Sequence, residues 1–61
     1  MIYRHKKTGT LYQLIAHAID CTNNRDGTEV VVYAKHGTDI DNHVFVRDRK
    51  EFEEKFHAEN V

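Results

Sequence analysis

The run Glu29-Val30-Val31-Val32-Tyr33-Ala34 constrains this chain more than any other segment. Three consecutive valines lose side-chain freedom against the preceding turn of a helix, whereas β-branched and aromatic residues pack well on a pleated surface. The chain must therefore contain a sheet, and this run is one of its strands. With 61 residues in all, of which 39% are hydrophobic and 31% charged, the sheet has one small core to serve. A domain this short leaves about 40% of its unfolded surface exposed. Such a chain makes a single domain over residues 1–61 with no room for a deep enclosed active site.

Glycine supplies the punctuation, because proline is absent and there are only three glycines. Gly9 lies in Lys7-Thr8-Gly9-Thr10, between Ile2–His5 and a run beginning at Leu11, where it can take the positive φ of a tight hairpin. Asn23-Asn24-Arg25-Asp26-Gly27 is a strong turn signal and joins the second strand to the valine strand. His36-Gly37-Thr38-Asp39-Ile40-Asp41-Asn42 reads as a polar loop before a short fourth strand, Val44-Phe45-Val46. From Leu11 to Cys21 both alternating sets are partly apolar. A long strand that swaps its buried face at a bulge near Ala16 to Ala18 explains this pattern, and a helix over Leu11–Ile19 is the competing reading.

The period changes after Arg47. Asp48 followed by Glu51 matches a capping box, Phe52 and Phe56 lie one turn apart, and Glu51 with Lys55 and Arg49 with Glu53 are spaced to pair. These features predict a helix from about Asp48 to His57. The fold class expected is mainly β: a strongly bent antiparallel sheet of about four or five strands with one C-terminal helix. Its expected core is Tyr12, Leu14, Ile15, Val30, Val32, Val44, Val46, Phe52 and Phe56.

Tyr3-Arg4-His5 with Lys7, Gly9 and Tyr12, then Val31-Val32-Tyr33, then Phe45-Val46-Arg47 and Phe52, resemble a family of uncharacterised bacterial and phage domains, domain of unknown function 1653. The likeness covers most of the chain. It implies a small SH3-like β-barrel, and it supplies no catalytic residue because the family has no established activity. Phe45 stands where the family usually has Trp, and Asp48 where it usually has Pro.

Charge is distributed unevenly. The net charge is -1, which argues against an electrostatic DNA wrapper or a polybasic anchor. Yet residues 1–19 hold Arg4, Lys6 and Lys7 and no acid. With Tyr3 and Tyr12 across the hairpin, these five residues form the candidate binding site, suited to an acidic protein or to stacked single-stranded nucleic acid. The plainer reading is a solvated hairpin whose tyrosines bury their rings and keep their hydroxyls wet. His36, Asp39, Asp41 and His43 invite a metal, but they lack the spacing of a zinc site or a calcium loop, and no metal or cofactor is expected. Cys21 stands four residues after His17 on a strand, too far for a thiolate–imidazole pair, so a half-buried inert thiol is expected and no enzyme. His57 reads as a helix-end residue near the last carbonyls.

One cysteine cannot form an internal disulfide and the N-terminus has no apolar leader, so the expected compartment is the cytoplasm, with no membrane contact. The expected function is a non-enzymatic binding module, a phage or bacterial accessory protein docking on a host protein. Nucleic-acid binding through the basic and aromatic hairpin is the alternative. A homodimer could form through an edge strand or through the basic hairpin.

Overall fold

The valine run becomes an interior strand of one sheet in the computed structural model, which describes residues 1–37 and 43–59. In chain order the elements are β1 (Ile2–His5), β2 (Leu11–Asp20), β3 (Thr28–Lys35), β4 (Phe45–Asp48), α1 (Arg49–Lys55) and β5 (Phe56–Glu59). All strand pairs are antiparallel, and the order across the sheet is β4-β3-β2-β1-β5. The protein is thus mainly β with a single short helix among the described residues. That helix links the two strands that form the edges.

Local chemistry explains the connections. Gly9 has φ +75° and its amide donates to the His5 carbonyl at 2.8 Å, closing the first hairpin. Gly27, at φ +89°, closes the second hairpin, its amide donating a hydrogen bond to the Asp20 carbonyl at 3.0 Å. An L side chain at either position would have to adopt the left-handed region.

The second strand is continuous from Leu11 to Asp20, so the helical reading of this segment is overturned. Its register shifts between Leu14 and Ala16, slightly earlier than the expected Ala16 to Ala18. Leu14 opposes Tyr33 before the shift, and His17 opposes Val31 after it. Directly opposed residues share a face, so the set turned towards Tyr33 and Val31 changes from even to odd positions. The face swap is present. Beyond it, however, His17 and Ile19 are exposed.

Asp48 caps α1 by accepting from the amides of Lys50 at 2.9 Å and Glu51 at 3.4 Å. The other half of the expected capping box is not made, because Glu51 instead takes a hydrogen bond from Arg47 at 2.8 Å. Arg49 and Glu53 pair as their spacing predicts, at 3.0 Å. The helix ends at Lys55, short of His57, because Phe56 adopts extended backbone and starts β5. His57 is therefore an edge-strand residue. Phe52 and Phe56 still stack, with ring centroids 4.3 Å apart and planes 11° apart.

The main core cluster is Val31, Tyr33, Phe52 and Phe56, with Tyr3, Tyr12 and Leu14 packed against it. Val30 and Ala34 are buried as well. Three expected core residues are exposed: Ile15, at the register shift, is 40% exposed, and Val44 and Val46 are 51% and 63% exposed. Val32 is half-buried. The fault is one of phase. Val31 and Tyr33, not Val30 and Val32, belong to the face that meets Phe52, and in β4 they oppose Arg47 and Phe45. A one-residue error in a strand moves every side chain to the other side.

Candidate functional site

The first hairpin turn is held by its own polar atoms. The His5 amide donates to the Thr10 carbonyl at 2.9 Å, and the Thr8 amide donates to Nδ1 of His5 at 3.3 Å. The His5 ring packs edge-on against Phe56, 4.8 Å between centroids. The Lys6 amide donates to the Lys55 carbonyl at 2.9 Å, which fastens the turn to the end of α1.

These bonds divide the five candidate residues into three groups. Lys6 and Lys7 project from the turn and are exposed. Arg4 is on the opposite side of β1 from Tyr3, since neighbours on a strand point to opposite faces. Its Nε pairs with Glu59 of β5, and its Nη1 donates to the Gly9 carbonyl at 2.8 Å. Tyr3 and Tyr12 oppose one another across β1 and β2, and both rings join the core. Tyr3 meets Phe52 at 5.1 Å, and Tyr12 meets Phe56 at 5.4 Å and Tyr33 at 5.5 Å, all near edge-to-face. Both tyrosines are only partly buried, and their rings pack edge-on against the core.

The lysines gain a member that the sequence reading assigned elsewhere. Lys55, expected to pair with Glu51, lies beside Lys6 and Lys7, and His5, Lys6, Lys7, Glu54 and Lys55 line a shallow hollow. Forty-eight positions separate Lys7 from Lys55. Only the pairing of β1 with β5 brings them together, and no local pattern signals it.

Arginine and lysine play different parts in this protein. All four arginines are in salt bridges: Arg4 with Glu59, Arg25 with Asp20 and Asp48, Arg47 with Glu51, and Arg49 with Glu29 and Glu53. Arg47 also donates to the Tyr33 hydroxyl at 3.1 Å and lies 5.6 Å over the Phe56 ring. The Tyr33 bond is the main reason its pKa is raised above the ordinary arginine value. Lys6, Lys7 and Lys55 make no salt bridge among the described residues. The fork of a guanidinium suits fixed paired contacts, and an ammonium on a flexible stem suits a hydrated surface.

The other candidate sites are less developed. Cys21 is exposed rather than half-buried, and its thiol donates to the Ile19 carbonyl at 3.8 Å. Asp39 and Asp41 of the polar loop lie outside the described residues; His36 and His43, at its two ends, are exposed. Among the described residues, no three His, Cys, Asp or Glu side chains gather closely enough to hold a metal ion. No described helix is long and apolar enough to cross a membrane.

No protein-family model, curated protein or solved structure matches the chain.

Proposed function

We propose that this protein is a non-enzymatic binding module that docks on an acidic surface of another protein through Lys6, Lys7 and Lys55. The observation that carries the reading is the grouping on one hollow of three lysines that make no salt bridge among the described residues, in a chain whose arginines are all bridged. Clustered like charge raises the rate of encounter with an oppositely charged patch. The sheet order, with one helix between β4 and β5, supports an SH3-like barrel and a kinship with domain of unknown function 1653. A phage or bacterial accessory protein working in the cytoplasm against a host protein fits that kinship. Self-association through a sheet edge is compatible with the same role.

Nucleic-acid binding is the weaker reading, since Tyr3 and Tyr12 spend their rings on the core. Affinity capture from a bacterial lysate separates the two. Wild-type protein should retain a partner after nuclease treatment, and a Lys6→Glu/Lys7→Glu/Lys55→Gln variant should lose it while keeping its melting temperature. Loss of all capture on nuclease treatment would favour the nucleic-acid alternative, with a steep fall in affinity as salt rises. Equal capture by the triple variant would remove the lysine hollow from consideration.

A further inference from the structure

β4 ends the sheet. It is paired to β3 alone among the described strands, and the side away from β3 carries backbone amides and carbonyls with no strand partner. The apolar residues at its start are open: Val44, just before the strand, is 51% exposed, and Phe45 and Val46 within it are 41% and 63% exposed. Val46 also ends a cross-strand row. It opposes Val32, which opposes Ala16, so an apolar line runs from β2 to the sheet edge, with Val32 half-buried and Ala16 exposed. An edge of this kind is a template for another strand.

We propose that two copies of this protein dimerise by antiparallel pairing of β4 with β4, centred on Val46. An antiparallel pair of identical strands is its own complement, as a twofold interface requires. For the two sheets to continue with matching faces, residues of the same parity must oppose one another, which leaves three central registers. Centring on Phe45 sets Val46 against Val44 of the other copy, so the two Ala16–Val32–Val46 rows do not meet, and centring on Arg47 sets the two guanidinium groups against each other. Like charges directly opposed in a sheet are destabilising. Centring on Val46 avoids both. It sets Phe45 against Arg47, whose charge Glu51 of its own chain already balances at 2.8 Å. It sets Val44 against Asp48, whose carboxylate is held by the α1 cap and Arg25. It also joins the two Ala16–Val32–Val46 rows end to end, making one apolar line across the twofold axis. This interface lies on the opposite edge of the sheet from the lysine hollow and does not depend on it.

Sedimentation or light scattering over a range of concentrations tests the dimer. Wild-type protein should dimerise, and Val46→Lys, a change at a largely exposed position, should weaken dimerisation about tenfold or more by placing two ammonium groups at the axis. Circular dichroism of Val46→Lys should match wild type. The register is tested in a Cys21→Ser background under air oxidation. In Val46→Cys the new thiol faces its symmetry mate about 4.5–5.5 Å away and should cross-link. In Val44→Cys it lies four residues, about 13 Å, from its mate and should not. Wild-type protein that stays monomeric, a Val46→Lys variant that dimerises as wild type does, or cross-linking at 44 in place of 46 would overturn the proposal.

Discussion

The two edges of the sheet are built from different materials. On the β5 side, Phe56 is buried, Glu59 is tied to Arg4, the turn beside it carries Lys6 and Lys7, and Lys55 ends the preceding helix. On the β4 side, Val44, Phe45 and Val46 are open to solvent. Charge beside an edge strand discourages pairing, because a second strand would have to desolvate or oppose it; apolar side chains reward pairing. One sheet can thus offer an edge for long-range electrostatic encounter and another for close strand contact. α1 connects the two edges and places Phe52 in the core between them.

Removing the shared support has the largest effect. Phe52 is 3% exposed and touches the rings of Tyr3, Tyr33 and Phe56. Phe52→Ala should destabilise the fold by about 3 kcal/mol, a large part of the few kcal/mol available to so small a core. Both edges should fail together, and thermal melting reads the loss. A variant that melts within a degree or two of wild type would show that the aromatic cluster does not hold the sheet together.

A smaller change separates the edges. Asp48 ends β4 and caps α1, so Asp48→Ala should cost about 1 kcal/mol, within the usual range for a lost N-cap. Asp48→Ser, which keeps an acceptor, should recover most of it in chemical denaturation. At the other edge, Arg4→Gln removes the bridge to Glu59, a pair that keeps substantial solvent contact. Exposed bridges contribute about 0.2–1 kcal/mol, so this variant should lose less than Asp48→Ala. The reverse order would mean that the β1–β5 seam, and not the start of the helix, is the weaker joint.

How legible the two edges were in the sequence follows from what each depends on. Turns, the helix cap and the existence of β3 rest on local chemistry, and Gly9, Gly27, Asp48 and the valine run announce them. The phase of β3 does not, because a strand apolar at every position from Val30 to Ala34 has no alternation to read. That ambiguity put Val44 and Val46 into the expected core when the register sets Arg47 against Val31 and Phe45 against Tyr33. Lys6 and Lys7 were recognised from their unneutralised charge. Lys55 was not, because its position beside them depends on β5 crossing back to β1, a pairing between the two ends of the chain. The same crossing supplies Glu59, which turns Arg4 from a free cation into a structural one.

The smallest expected effect is a pH dependence confined to the β4 half. Asp20 accepts from the Thr22 amide at 2.9 Å and from Arg25 at 3.1 Å, and Arg25 reaches on to Asp48 at 3.3 Å. The Thr22 hydrogen bonds, the backbone one foremost, together with Arg25 hold the Asp20 pKa below its ordinary 3.8. A carboxyl group whose pKa is lowered on folding adds stability that is present above its unfolded value and lost as pH falls through the folded one. The contribution is therefore complete at neutral pH and disappears below 3.8. Exposure to solvent keeps it small. In acid, wild-type protein should lose slightly more melting temperature than Asp20→Asn, whose side chain cannot titrate, and the Thr22 amide resonance should follow the same transition. The lysine edge offers no equivalent acid-held turn, so resonances of Lys6 and Lys7 should not move with it. Identical acid profiles for the two proteins would mean that the Asp20–Arg25–Asp48 chain is not coupled to folding, and β4 would then owe its position to β3 and the α1 cap alone.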